Sequence, residues 1–138
     1  MPRRPPWFYK QSAVIPYRRT SPNNELEILL ITSRGRGRWI IPKGVIDPGE
    51  SAIDSAMREA SEEAGIKGEP QTPALGAYQY EKWGGTCTVE VFALEVTKIR
   101  DTWPEKEVRR RQWMPITKAA ESVEEPDLRT LILSLRAF

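Results

Sequence analysis

Short apolar runs separated by polar turns follow one another along most of the chain, a pattern typical of β-strands. The run ELEILLITS (25–33) has a continuous apolar centre, Ile28 to Ile31, as expected for a strand buried on both faces. A turn precedes it at Pro22-Asn23-Asn24, and the segment 82–85 (KWGG) is typical of a hairpin connection. The remaining strand candidates are 12–17, 39–42, 74–80, 86–96 and 109–114.

The spacing of apolar residues changes to three and four over residues 51–65, which predicts a helix. Ser51 is the expected N-cap and Asp54 completes a variant of the capping box, while Gly65 is placed to end the helix in the left-handed conformation. Shorter helices are predicted at 117–123 and from Pro126 onward. The apolar stripe of the first helix consists of Ile53, Met57, Ala60 and Ala64.

The order of elements, strands then helix then strands then helices, predicts an α/β domain in which helices cover a central mixed sheet. A chain of 138 residues is long enough to bury a substantial core, and we expect a single domain over residues 1–138. Residues 1–10 are rich in Pro and Arg, which favours a flexible arm with few contacts to the rest of the domain.

The composition narrows the available chemistry. Histidine is absent, which excludes the commonest acid–base residue and the usual zinc ligand, so a general base must be a carboxylate, lysine, tyrosine or cysteine. The single cysteine, Cys87, cannot form an internal disulfide, which fits a reducing cytoplasm. No segment has the length of a transmembrane helix or of a secretory signal, so we expect no membrane partner.

The net charge is only +2, but the charges are distributed unevenly. Acidic residues concentrate between Asp47 and Glu63, whereas basic residues gather at 3–4, 18–19, 34–38 and 109–111. This pattern favours a local cation site beside an anion-binding surface over a general nucleic-acid-binding protein.

The acidic end of the predicted helix poses a physical problem. Glu59, Glu62 and Glu63 lie at positions i, i+3 and i+4, where side chains share one face and like charges destabilise a helix. They also lie near the negative end of the helix dipole, and we expect them to project away from the apolar stripe. Taken alone, a Glu-rich face is usually just solvated, so the neighbouring residues must decide whether it binds a cation.

The wider segment GVIDPGESAIDSAMREASEEAGI (44–66) resembles the Nudix box, the signature of the Nudix hydrolases. The resemblance implies an α/β/α sandwich with a central mixed β-sheet flanked by helices. It also implies hydrolysis of a diphosphate joined to another group X by attack of water at phosphorus. The positions that match are Gly44, Glu50, Arg58, Glu59, Glu62, Glu63 and Gly65, with Ala60 and Ile66 in the apolar slots.

The resemblance implies a role for most of these residues. It assigns Mg²⁺ or Mn²⁺ binding to Glu59, Glu62 and Glu63, with the carbonyl oxygen of Gly44 as a further ligand, and such hard cations prefer oxygen ligands. Glu50 and Arg58 are the expected pair that holds the loop against the helix. The general base is either Glu63 or Glu59.

Within the family, segments 32–44, 65–68 and 103–113 resemble the diphosphoinositol polyphosphate phosphohydrolase branch, which cleaves inositol pyrophosphates and long diadenosine polyphosphates. Polyanionic substrates require several cations, and arginine offers bidentate hydrogen bonds to phosphate. Alternation along a strand would place Arg109 and Arg111 on one face, with Arg110 on the other. The substrate-binding candidates are Arg34, Arg36, Arg38, Lys43, Arg109 and Arg111.

Several alternatives stay open at this point. The substrate could be a diadenosine polyphosphate, an inositol pyrophosphate, another nucleoside diphosphate derivative or a capped RNA end, although nucleic acid is otherwise not expected as a partner. Tyr78, Tyr80 and Trp83 could stack on a base or simply pack in the core. The competing class is a catalytically inactive Nudix-fold module that binds a nucleotide or a protein, but the intact set of carboxylates favours an enzyme. The sequence does not decide between a monomer and a homodimer.

Overall fold

A computed structural model describes residues 3–138, and its strands form one mixed sheet. The strands are β1 (Lys10–Thr20), β2 (Glu25–Thr32), β3 (Trp39–Ile40), β4 (Lys43–Val45), β5 (Ile66–Pro70), β6 (Gly76–Lys82), β7 (Gly85–Ile99) and β8 (Arg111–Pro115). The main order is β3-β2-β1-β7-β5, and β4 pairs with β1, β6 with β7, and β8 with β2. Among these described pairs only β1 and β7 run parallel.

Alternating side chains divide the core between the two faces of this sheet. Val14 of β1 packs with α1 (Ala52–Ala64), whereas its neighbours Ala13 and Ile15 pack with α2 (Ile116–Ser122) and α3 (Pro126–Ser134). The centre of β2 is buried on both faces in the same way. The predicted mixed sheet flanked by helices is therefore confirmed.

Helix α1 begins and ends where its caps predict. The hydroxyl of Ser51 accepts a hydrogen bond from the backbone N–H of Asp54 at 3.1 Å, and Gly65 ends the helix with φ +69°. The fully buried stripe consists of Ala56, Ala60 and Ala64, and their small side chains let the helix approach the sheet closely. The predicted stripe residues Ile53 and Met57 flank it, partly buried.

Gly65→Ala is expected to lower the free energy of unfolding by about 2–3 kcal/mol. An L-residue is strained at this positive φ, and the added Cβ would lie 2.8 Å from the Cγ atom of Trp103. Urea denaturation measures the change. Gly35→Ala is the matched control, because its Cβ would meet no atom within 4 Å; equal stability of the two variants would contradict this account of the helix end.

Two strands lie outside the strand candidates of the sequence. Residues 43–45 form β4 because Ser12 of β1 pairs with Gly44. The strand β5 was missed, since its sequence IKGEP is polar and contains Gly and Pro, both depleted in strands. It pairs with β7 through a register shift next to Gly68.

The N-terminal segment also packs more closely than the sequence suggested. Residues 6–9 form a 3₁₀ turn, and the hydroxyl of Tyr9 donates a 2.7 Å hydrogen bond to the carbonyl oxygen of Trp83 in the β6–β7 hairpin. The ring of Phe8 meets that of Trp83 edge-on at 5.3 Å. Tyr9 and Phe8 therefore contact the β6–β7 hairpin, which a flexible arm would not do. The first two residues of the predicted arm lie outside the described residues.

Candidate active site

The carboxylates of the last turns of α1 lie in unequal surroundings. The side chains of Glu59 and Glu63 are only 14% and 8% exposed, whereas that of Glu62 is 41% exposed. The sequence did not predict this difference: Glu63 lies among the buried residues. The segment after β7 covers it: the indole N–H of Trp103 donates to the carbonyl oxygen of Glu63 at 3.1 Å.

Glu63 is a buried carboxylate with few partners. Its Oε1 accepts a 3.3 Å hydrogen bond from the backbone N–H of Lys43, and its Oε2 lies 3.7 Å from a guanidinium nitrogen of Arg109. Burial raises the pKa of Glu63 to about 8, and the carboxylates of Glu59 and Glu105 also raise it, while Arg109 and the Lys43 N–H lower it. Burial therefore changes the pKa of Glu63 more than the opposing charge of the Arg109 guanidinium does.

Glu59 lies directly against the backbone of Gly44. A methyl group added at Gly44 would overlap Oε2 of Glu59, so only glycine leaves room for the carboxylate here. Burial also raises the pKa of Glu59, with Arg58 acting in the opposite direction. The structure thus brings together Glu59, Glu63 and Gly44, the residues that the resemblance assigned to metal binding.

A bidentate ion pair holds the preceding loop onto the helix. The Nε and Nη2 atoms of Arg58 lie 3.1 and 3.0 Å from the two carboxylate oxygens of Glu50, a geometry that lowers the pKa of Glu50. Arg58 also lies 3.3 Å from Asp47, and the hydroxyl of Ser55 donates to the carbonyl oxygen of Val45 at 3.0 Å. These contacts fix the loop that carries Gly44 beside Glu59.

A basic cleft of about 420 Å³ opens next to these carboxylates. The ammonium of Lys43 points along it, 3.2 Å from the hydroxyl of Tyr80 and 4.6 Å from the centre of that ring. Burial lowers the pKa of Lys43, and the nearby charge of Lys82 lowers it further. The lining includes Arg34, Arg38, Lys43, Tyr80, Lys82 and Arg109, together with one carboxylate, that of Glu81. Sequence reasoning missed Lys82, whose only signal was a positive charge beside the predicted hairpin.

The six predicted substrate-binding residues do not all face this cleft. Arg34, Arg38, Lys43 and Arg109 do, whereas Arg36 extends to Glu124 at 3.5 Å. Arg111 lies behind the helix: it donates to the carbonyl oxygens of Ala64 and Arg100, each at 2.7 Å, and its guanidinium stacks on Trp103. Strand alternation does not pair Arg109 with Arg111, because Arg109 precedes the first residue of β8. Arg111 therefore donates a hydrogen bond to a backbone carbonyl oxygen at the C-terminal end of α1.

The residues present fit a hard divalent cation. Carboxylate oxygens are the preferred ligands of Mg²⁺ and Mn²⁺, and a divalent charge would offset the burial and mutual repulsion that raise the pKa of Glu59 and Glu63. Among residues 3–138 no three His, Cys, Asp or Glu side chains already converge as a metal cage. Glu62 is more exposed and lies 3.7 Å from Arg58, so it stands apart from the buried carboxylate of Glu63.

The comparisons with known proteins identify the class. A family model described as the NUDIX domain matches residues 10–135, and the chain belongs to the Nudix hydrolase family. Within residues 3–138 we find no helix with the length and apolar content that a bilayer crossing requires.

Curated relatives and solved structures agree with this assignment. The chain is 35% identical over 106 residues to Nudix hydrolase 12, mitochondrial, from Arabidopsis thaliana, covering 71% of this chain but only 52% of that relative. It is 33% identical over 123 residues to diphosphoinositol polyphosphate phosphohydrolase 3-alpha from Mus musculus, covering 87% and 72% of the two chains. The crystal structure of a C. elegans Ap4A hydrolase superposes with a TM-score of 0.77 at 23% identity, covering 94% and 96%, which shows a shared fold. This chain thus spans about half the length of the plant relative.

Proposed function

We propose that this chain is a pyrophosphohydrolase that uses Mg²⁺ or Mn²⁺ to cleave a diphosphate linked to another group. The observation that carries the proposal is the buried carboxylate of Glu63 together with the largely buried carboxylate of Glu59, which lies against Gly44, both beside a basic cleft. Buried, like-charged carboxylates are costly to a fold, and a bound divalent cation gives them a physical reason to be there.

Each residue around the cluster has a distinct part in this proposal. Glu59, Glu62, Glu63 and the carbonyl oxygen of Gly44 would hold the metal ion. When bound, the ion neutralises phosphate charge and lowers the pKa of water. Either Glu63 or Glu59 accepts the proton of the attacking water. Arg58 and Glu50 act by positioning, because their ion pair keeps the Gly44 loop in contact with the helix.

The basic cleft would orient the phosphate groups of the substrate. Lys43 and Arg109 join the two parts of the site, since the backbone N–H of Lys43 and the guanidinium of Arg109 contact Glu63 while both side chains line the cleft. A phosphate held there would lie beside the carboxylates. The half-buried ring of Tyr80 offers an apolar surface in the same cleft, suited to a group other than phosphate.

Two relatives support the choice of substrate class. One is named as a diphosphoinositol polyphosphate phosphohydrolase and one solved neighbour as an Ap4A hydrolase, so we propose a diadenosine polyphosphate or an inositol pyrophosphate as substrate. Cys87 is a buried free thiol, which suits the reducing cytoplasm that we propose as the compartment.

A substrate panel tests the proposed function. Purified protein would be assayed with Mg²⁺ against dinucleoside polyphosphates, nucleoside triphosphates, nucleotide sugars and inositol pyrophosphates, each with and without EDTA. We expect metal-dependent turnover of at least one dinucleoside polyphosphate or inositol pyrophosphate. Absence of turnover for the whole panel would favour the alternative of an inactive binding module.

A further inference from the structure

The arginines of the β2–β3 loop, residues 33–38, differ in whether they form ion pairs with carboxylates. Arg36 lies 3.5 Å from Glu124, and Arg38 lies 3.8 Å from Glu124 and 3.2 Å from Glu125. By contrast, Arg34 makes no hydrogen bond or ion pair with any other residue between positions 3 and 138. Arg38, which lines the cleft, is therefore already paired with carboxylates of the loop between α2 and α3, and Arg36 outside the cleft contacts the same loop.

The ion pair of Arg38 with Glu125 is the stronger of these contacts. The two side chains are 27% and 19% exposed, so water screens them less than it screens the largely exposed pair of Arg36 with Glu124. Glu125 also occupies the N-cap position of α3, where the helix dipole favours a carboxylate. Its Oε1 atom is buried and has no hydrogen-bond partner among the described residues, which makes Arg38 its main compensation.

Fewer cationic side chains are free to bind substrate phosphate than the sequence suggests. Arg109 is paired with Glu105 at 2.7 Å and lies 3.7 Å from Glu63. Within the described cleft this leaves Arg34, Lys43 and Lys82 as cations that no carboxylate holds within ion-pair distance, and the carboxylate of Glu81 also lines the cleft. Any further phosphate must displace Glu124 or Glu125 from an arginine, or lie near an uncompensated carboxylate, and both cost binding free energy.

We propose that Glu124 and Glu125 are specificity-determining residues that hold Arg38, the cleft arginine that both carboxylates contact, and so limit how many phosphate groups the site accepts. The inference rests on the proposed function and deepens it: the substrate is a linear polyphosphate with an uncharged end group that carries an aromatic base, of the dinucleoside polyphosphate kind. A fully phosphorylated inositol pyrophosphate presents many more charges than the free cations can match. The half-buried ring of Tyr80 in the cleft offers a surface to the end group of the linear substrate.

The double variant Glu124→Gln/Glu125→Gln tests the inference, because glutamine keeps a hydrogen-bond acceptor for Arg38 but removes the charge. We expect the ratio of kcat/KM for diphosphoinositol pentakisphosphate to that for diadenosine tetraphosphate to rise by about tenfold, chiefly through KM. The control variant Glu69→Gln/Glu121→Gln removes the same charge from exposed positions on β5 and α2, and its ratio should match that of the wild type.

A binding measurement separates this inference from the proposed function. Calorimetric titration with inositol hexakisphosphate needs no turnover, and we expect about tenfold tighter binding by the double variant than by wild type or control. A kcat/KM ratio within twofold of wild type together with unchanged binding would overturn the inference. If wild type hydrolyses no compound of the substrate panel, the proposed function fails, and the titration alone then decides: tighter binding supports the inference and equal binding overturns it.

Discussion

Glu63→Gln is expected to lower turnover by about 10³-fold while leaving the domain folded. Glutamine has nearly the same shape and its side-chain oxygen can still accept the hydrogen bond from the backbone N–H of Lys43. What it lacks is the negative charge for the metal ion and the capacity to take a proton from water. Because burial disfavours the charged form of Glu63, the neutral side chain should not lower the free energy of unfolding.

Steady-state kcat with saturating Mg²⁺ and thermal unfolding measured together check this expectation. Glu69→Gln is the matched control, since it removes the same charge from an exposed residue of β5. Wild-type turnover in Glu63→Gln would remove Glu63 from the mechanism. A large loss of thermal stability would instead show that the carboxylate serves the fold. The same measurements on Glu59→Gln would show which of the two glutamates accepts the proton.

Gly44→Ala is expected to weaken metal binding by about 10- to 100-fold with little loss of stability. The added methyl group would overlap the carboxylate of Glu59, which must then move away from the loop. The overlapping atoms belong to the end of a flexible side chain, so the fold can relax while the carboxylate of Glu59 leaves the position that we propose for metal binding.

Titration of activity with Mg²⁺ measures the apparent affinity in wild type and in Gly44→Ala. Gly35→Ala serves as the control, because a Cβ there meets nothing within 4 Å. An unchanged metal affinity in Gly44→Ala would mean that Glu59 does not need its place beside the loop, and would argue against Gly44 as a member of the metal site.

Local chemistry made the central helix predictable from sequence. Ser51 and Gly65 determine the ends of α1 through a side-chain hydrogen bond and a positive φ, and both signals depend only on neighbouring residues. The buried centre of β2 and the β6–β7 hairpin were predictable for the same reason. The strand β5 was not, because its polar sequence becomes a strand only through pairing with β7.

The surroundings of the site required the tertiary structure. The helical spacing placed Glu59, Glu62 and Glu63 in the last turns of one helix, but it could not show that the segment 103–109 buries one of them. Nor could spacing predict that Arg111 would turn back to the end of α1 instead of facing the cleft. Such contacts join residues far apart in the chain, and a run of arginines looks alike whether it binds phosphate or a carbonyl oxygen.

The central claim is that the carboxylates of α1 bind a divalent cation, and Mn²⁺ binding followed by electron paramagnetic resonance tests it most directly. Wild type and the variant Glu59→Gln/Glu62→Gln/Glu63→Gln would be titrated under the same conditions, with circular dichroism to confirm that both are folded. We expect the wild type to bind Mn²⁺ and Mg²⁺ to displace it, while the triple variant loses at least 100-fold in affinity, on the order expected for removed metal ligands. Equal Mn²⁺ binding by the two folded proteins would contradict the claim.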